Sequence, residues 1–170
     1  VAKAHKAHIM VAVLGEEEKL LERGKLFTKA MAVCCKQKYA TGVYTSGVVF
    51  EPRFYEGLAD MLKEDELPIF NWVWFGLYRS EGGLNGYTYG MDVFGKEEME
   101  VLNTDAEPEE LRDFLASLAS YVLACDVTLQ DGETIGFSAD DKHTITRSPG
   151  VSLPEEQMTL KIGYEPIKGD

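Results

Sequence analysis

A chain of 170 residues with 45% apolar and 27% charged residues is long enough for one soluble domain with a substantial core. Its 17 basic and 29 acidic residues give a net charge of −12, a field that repels phosphate backbones and anionic lipids. The composition therefore argues against nucleic-acid binding and membrane binding, and it leaves a basic protein partner open.

Cysteine usage and the start of the chain bear on the cellular compartment. Cys34, Cys35 and Cys125 are an odd number of cysteines without framework spacing, so we expect free thiols that pack as small core hydrophobes. The apolar runs are too short for a membrane span, and the chain does not open on a secretory leader. These features predict the cytoplasm, and Val1 in place of Met predicts a trimmed N-terminus.

The first elements in chain order alternate between strand and helix patterns. Residues 8–14 are an apolar run stopped by a glycine, which predicts a buried strand. A helix is predicted over 16–39, where acidic residues precede a broad apolar face, and a strand interrupted by Gly47 over 43–50. Pro52 is placed to begin a short helix, and the acidic stretch 64–68 predicts a loop.

The stretch from Asn71 to Met91 predicts a hairpin in the middle of a sheet. An apolar run at 72–78 is followed by a glycine-rich turn at 81–86 and a second strand at 87–91. Alternation along a strand gives the run two apolar faces, with Trp72, Trp74 and Tyr78 on one and Val73, Phe75 and Leu77 on the other. Both faces then need cover from a packed layer, a partner chain or a ligand.

The last third of the chain predicts a helix followed by short strands. A strand is predicted over 99–102, and a helix begins at 105–108. Its core-facing stripe consists of Leu111, Phe114, Leu115, Leu118, Val122 and Cys125. Strands at 127–130 and 134–137 are joined by an Asp131–Gly132 turn, and further strands lie at 143–147 and 158–164. The whole pattern predicts one α+β domain over 1–170, with a mixed, largely antiparallel sheet and three main helices packed against it.

Several acidic residues and one histidine are candidates for chemistry. Glu98 and Glu100 fall on one face of a strand, where paired carboxylates suit acid–base work, although a solvated sheet edge has the same pattern. In the stretch Asp140-Asp141-Lys142-His143, a carboxylate is placed to orient His143 as a base, but a solvated turn explains the same residues without chemistry and is the preferred interpretation. Asp131 lies in the predicted turn.

The patterns of established sites are incomplete. His5 and His8 lack a third ligand for zinc, and Gly82–Gly86 lacks the motif of a phosphate loop. We therefore predict no catalytic residue, metal site or cofactor from motifs. The residues predicted to take part in binding are Trp74, Tyr87, Tyr89, Glu98, Glu100, Asp131 and His143.

Two segments carry a family resemblance. Residues 87–101, which read YTYGMDVFGKEEMEV, and residues 131–138, which read DGETIGFS, resemble a bacterial family of unknown function numbered 4261. The resemblance covers about 67–164, and 4–15 continues it upstream. It implies no catalytic residue, because the family has no assigned activity. It does imply that the glycines and acids of the pattern form one structural or binding unit.

Three functional hypotheses remain open. The first is non-catalytic binding of another protein, as an inhibitor or immunity-type module. The second is a hydrolase that uses His143 with Glu98, Glu100, Asp131 or Asp140, which requires those groups to lie within hydrogen-bond reach. The third is a structural homodimer formed through the face of Trp72 or Trp74.

Overall fold

The computed structural model describes residues 5–138 and 141–165. The chain divides into two compact units, residues 1–74 and residues 75–170. Four α-helices and eight β-strands lie in the described ranges. None of the helices in these ranges is long and apolar enough to cross a membrane.

The first unit consists of three helices and a small hairpin. A 3-10 turn precedes helix α1 (Leu20–Cys35), and strands β1 (Val43–Thr45) and β2 (Val48–Phe50) follow. Helix α2 (Pro52–Ala59) continues into a second 3-10 turn, and α3 (Ile69–Trp72) is a single turn. The helix predicted over 16–39 is confirmed in its position, although α1 ends at Cys35.

The strand predicted over 43–50 is in fact two strands. β1 pairs antiparallel with β2, with Val43 opposite Phe50. Ser46 and Gly47 have φ values of 50° and 74°, the left-handed conformation that a two-residue hairpin turn needs. Gly47, which was predicted to interrupt one strand, therefore lies in the turn that reverses the chain.

Trp72 is buried in the first unit and does not lie in the strand predicted for it. Cys35, Val43 and Tyr55 form a buried cluster. Trp72 is 4% exposed, and its indole N–H donates to the hydroxyl of Thr28 at 2.7 Å. The prediction that Trp72 shares a strand face with Trp74 is wrong, because Trp72 ends helix α3 and the strand begins only at Trp74.

The buried strand predicted over 8–14 is also wrong. This segment has no regular secondary structure, and Ile9, Met10 and Leu14 are 75%, 85% and 89% exposed. A guanidinium N–H of Arg23 donates to the carbonyl of Val13 at 3.3 Å, which attaches the end of the segment to α1. An apolar sequence favours a strand, but a strand also needs a partner in the sheet.

The second unit contains a six-stranded sheet and one long helix. Its elements are β3 (Trp74–Ser80), β4 (Gly83–Tyr89), β5 (Met99–Thr104), α4 (Pro108–Ala124), β6 (Thr134–Ile135), β7 (His143–Pro149) and β8 (Met158–Ile162). The strand order is β3-β4-β5-β8-β7-β6, and the pairing of β5 with β8 is parallel. The α+β class and the mixed, largely antiparallel sheet are confirmed. Of the predicted main helices, α4 packs on this sheet, while α1 and α2 belong to the first unit.

Helix α4 covers one face of the sheet. Leu111, Leu115 and Leu118 are at most 1% exposed, as their helical spacing predicts. A Cβ atom on Gly86 would lie 2.9 Å from side-chain atoms of Leu111 and Leu115, so the helix approaches β4 at this glycine. Cys125, predicted to close the apolar stripe, is exposed because the helix has ended at the preceding residue.

The strand that follows the Asp131–Gly132 turn pairs with a different segment from the one predicted. Residues 127–130 form no strand, and β6 pairs with β7, with Ile135 opposite His143. The Asp131–Gly132 turn therefore does not join two paired strands, because β6 pairs with β7, which follows it in the chain.

Candidate functional site

Glu98 lies just before β5 and is enclosed by hydrogen-bond donors. Its carboxylate is 1% exposed. One oxygen accepts from the hydroxyl of Thr88 at 2.6 Å. The other accepts from the backbone N–H groups of Gly90 at 2.6 Å and Met91 at 2.9 Å, and more distantly from that of Asp92. The Thr88 hydroxyl in turn accepts from the N–H of Met99. The carboxylate thus fastens the loop after β4 to the start of β5.

Glu100 performs the same task for another loop. It is fully buried and accepts from three successive backbone N–H groups, of which that of Ser152 is nearest at 2.6 Å. The second oxygen accepts from the hydroxyl of Thr159 at 2.9 Å and lies 2.8 Å from the ammonium of Lys161. Successive N–H groups that converge on one anion form a nest, and here the anion is a side chain of the protein itself.

Glu98 and Glu100 were predicted to share a strand face opposite Met99 and Val101, but only Glu100 lies in β5, which begins at Met99. The alternative of a solvated edge is wrong, because β5 is an interior strand and both glutamates are buried. Alternation distinguishes the two faces of a strand, but it cannot tell water from backbone N–H groups as the partner of a carboxylate.

The two carboxylates have pKa values that are shifted in opposite directions. Burial raises the pKa of Glu98, and the hydrogen bonds from Thr88 and the backbone offset it only in part. Burial would also raise the pKa of Glu100, but hydrogen bonds from Lys161, Thr159 and the backbone outweigh it and hold the pKa below its usual range. The nearby ammonium distinguishes the two sites.

These shifts predict opposite pH dependences of stability. A raised pKa in the folded state means that wild-type protein loses stability relative to Glu98→Gln as the pH rises from 4.5, the ordinary value. A lowered pKa means that wild-type protein loses stability relative to Glu100→Gln as the pH falls below 4.5. Urea unfolding of the three proteins between about pH 3 and about pH 7 measures both differences. Parallel curves for the two variants would contradict the assignment.

Tyrosines occupy the sheet face opposite α4. The ring of Tyr87 lies over Gly76, where an added Cβ would be 2.2 Å from the ring. Tyr78 and Tyr89 follow at spacings of two residues and are 39% and 49% exposed. The hydroxyl of Tyr78 lies 3.1 Å from that of Ser152, in the loop that Glu100 holds. We call Tyr78, Tyr87, Tyr89 and Val151, which is 61% exposed, the tyrosine face.

His143 is the first residue of β7, and among the described residues it shares no hydrogen bond with Glu98, Glu100 or the tyrosine face. It is 5% exposed, so the alternative of a solvated turn is wrong. Its Nδ1 lies 3.0 Å from the carbonyl of Gly163. Its Nε2 lies 2.7 Å from an oxygen of Asp141, an ion-pair distance without the angles of a regular hydrogen bond. The ring also packs edge-on against Phe114. Both nitrogens therefore face oxygens of the protein.

The carboxylates proposed to act with His143 have other partners. The oxygens of Glu98 and Glu100 hold two loops, and Asp131 accepts from the backbone N–H of Arg147 at 2.8 Å. Asp140 lies outside the described residues. The hydrolase hypothesis requires these carboxylates to lie within hydrogen-bond reach of His143. Glu98, Glu100 and Asp131 instead bond to backbone N–H groups of other residues.

The remaining candidates are dispersed. Trp74 is the first residue of β3 and is 46% exposed. Cys35 is buried, and burial raises the pKa of its thiol to about 11, which keeps it protonated at neutral pH. Within the part of the chain that the structure describes, no three His, Cys, Asp or Glu side chains are grouped as a metal ion would need.

Sequence reasoning missed the partners of the two glutamates. The partners of Glu98 lie within ten residues of it, whereas Ser152 and Thr159 follow 52 and 59 residues after Glu100. Two glutamates spaced i, i+2 between apolar residues of a strand were a signal, because a carboxylate in an interior strand must find donors.

The two units differ in charge. Residues 1–74 contain ten acidic and ten basic side chains, whereas residues 75–170 contain nineteen acidic and seven basic ones. The whole net charge of −12 therefore belongs to the unit that carries the tyrosine face.

Comparison with known proteins bears on the same unit. Residues 87–163 match a family model described as a domain of unknown function, DUF4261. The resemblance seen in the sequence is therefore confirmed, over a segment that starts later than predicted. The match contains both glutamates, with the loops that they hold. No curated protein matches the chain, nor does any solved structure.

Proposed function

We propose that the chain is a non-catalytic binding module for a basic protein, which the tyrosine face contacts as an inhibitor or immunity-type module would. The observation that carries the proposal is an exposed aromatic sheet face in a unit whose two buried glutamates, Glu98 and Glu100, hold loops and are not free for catalysis. We place this activity in the cytoplasm, since the three cysteines are free thiols.

The chemistry of the face suits protein association. Tyrosine supplies a large apolar contact area with a polar tip, and it is enriched in protein interfaces. The hydrogen bond between Tyr78 and Ser152 restrains one ring before any partner binds. A restrained side chain loses less conformational entropy on binding, which favours affinity.

The charge of the second unit indicates the kind of partner. With a net charge of −12 in residues 75–170, a partner with a basic surface is attracted over several ångströms and associates faster at low salt. An acidic partner would be repelled by the same field. The proposal therefore commits to a basic protein, and its binding should weaken as salt screens the attraction.

Replacement of two exposed tyrosines tests the proposal. We expect Tyr78→Ser together with Tyr89→Ser to remove the captured basic protein from a quantitative affinity purification, because both rings are lost from the contact area. Tyr121→Ser is the matched control, since Tyr121 lies on α4 and is 45% exposed. Native mass spectrometry of wild-type protein with the captured protein then gives the stoichiometry.

Two results would contradict the proposal. One is a native mass spectrum in which wild-type protein never carries a partner. The other is a partner lost equally from the Tyr121→Ser control, which would place the contact elsewhere. Circular dichroism of both variants establishes that they remain folded before the comparison is made.

A further inference from the structure

We propose that residues 8–14 of one chain add as a strand to the outer edge of β3 in a second copy, giving a homodimer with two identical strand pairings. This inference is independent of the proposed function, because it concerns the edge of the sheet and the start of the chain. The occupant is a second copy of this chain, and the shared chemistry is backbone hydrogen bonding along an open strand edge.

The segment has the sequence of a strand but no strand partner. His8 is followed by six apolar residues, two of them valine and one isoleucine, which favour extended structure. Ile9, Met10 and Leu14 are nevertheless more than 70% exposed, and the segment pairs with no strand in the described part of its own chain. Contiguous exposed apolar residues of this kind mark an association site.

Strand β3 offers the longest open edge for such a segment. It is an outermost strand of the six-stranded sheet and has seven residues. The opposite outermost strand, β6, has two residues, and β1 and β2 have three each. A seven-residue segment can thus form a full ladder only on β3. From Gly76 to Ser80 the strand contains no proline, which would block a ladder.

Charge favours a second copy as the occupant. Residues 1–15 contain two lysines and two histidines and no acidic residue, whereas residues 75–170 carry a net charge of −12. The segment and the unit that bears β3 are therefore electrostatically complementary. Exchange of the same segment between two copies makes two equivalent contacts related by a two-fold axis, so the assembly closes as a dimer.

A charge in the segment tests the dimer. Light scattering after size exclusion, over a range of protein concentrations, should show a dimer whose dissociation constant rises about tenfold or more in Ile9→Asp, because a buried unpaired carboxylate costs more than 1.4 kcal/mol. Val33→Asp, on an exposed part of α1, is the matched control and should leave the constant unchanged. Wild-type protein that stays monomeric throughout, or equal effects in both variants, would overturn the inference.

Cross-linking identifies the edge. Chains with Val11→Cys are mixed with chains with Arg79→Cys, both in a Cys34→Ser, Cys125→Ser background, and oxidised. Covalent dimers that contain one chain of each kind are expected. A chain with both new cysteines that forms its disulfide only internally would overturn the exchange between copies. Neither variant changes the tyrosine face, so failure here is distinct from failure of partner capture.

Discussion

Replacement of Glu100 by alanine is expected to lower the free energy of unfolding by about 3–5 kcal/mol, the cost of breaking a buried ion pair by removing one partner. The carboxylate is fully buried and lies 2.8 Å from the ammonium of Lys161. Without it, the N–H groups of the 151–153 loop lose their acceptor, and the ammonium of Lys161 keeps only uncharged acceptors on Ser148, Pro149 and Thr159. Urea unfolding at neutral pH measures the loss.

The control is a carboxylate at the surface, three residues before Glu100. Glu97 forms an ion pair with Arg147 at the surface, and exposed pairs contribute little because water screens them. Glu97→Ala should therefore change the unfolding curve only slightly. A loss in Glu100→Ala as small as that in Glu97→Ala would mean that the carboxylate of Glu100 does not organise its loop, and that the buried position tolerates an uncharged residue.

The loop held by Glu100 links stability to the proposed binding surface. Val151 and Ser152 both donate to Glu100, and Ser152 contacts the hydroxyl of Tyr78. If the loop is released, the tyrosine face loses one of its borders while the strands remain. On the proposed function, the buried carboxylate of Glu100 would therefore support binding without touching the partner.

The spacing of apolar residues was sufficient to predict a helix that packs against a single surface. The i, i+3, i+4 spacing from Leu111 onward predicted α4, because a stripe of leucines needs only a flat apolar surface and β4 supplies one at Gly86. The same kind of pattern placed β8 and most of β7, whose alternating residues face the core. These elements are specified by their own residues.

Elements that depend on a distant partner could not be predicted in this way. Residues 8–14 have a strand sequence without a strand partner, and β6 pairs with β7 rather than with the residues before the Asp131–Gly132 turn. Trp72 was placed on a strand because a single helical turn inside an apolar run leaves no periodicity to detect. In each case the sequence of the segment does not say which other segment packs or pairs with it.

Three of the seven residues predicted to take part in binding lie near one another, and their role in binding stays a prediction. Glu98, Glu100 and Tyr87 do lie together around β4 and β5, with Tyr87 opposite Glu100. Their role differs because the donors to Glu100 come from residues 151–161, far along the chain. A pair of acids in a sequence indicates catalysis or structure equally well until their donors are known.

Glu98→Ala is expected to cost about 2–5 kcal/mol, since removing an acceptor leaves several buried donors unsatisfied at about 1–3 kcal/mol each. The donors are the hydroxyl of Thr88 and the N–H groups of Gly90 and Met91. Unlike Glu100, this carboxylate is held by uncharged donors, so the loss should persist at acidic pH, where a protonated Glu98 still accepts hydrogen bonds.

Asp92→Ala is the control for this second loop, because Asp92 is exposed and its hydrogen bond to Glu98 comes from the backbone N–H, which alanine keeps. The carboxylate of Asp92 repels that of Glu98, so we expect the variant to be as stable as wild-type protein or slightly more stable. A loss in Glu98→Ala that vanished at about pH 3 would instead assign the stabilisation to the negative charge, since only the charge disappears on protonation. The two buried glutamates would then act alike, despite the ammonium that only Glu100 contacts.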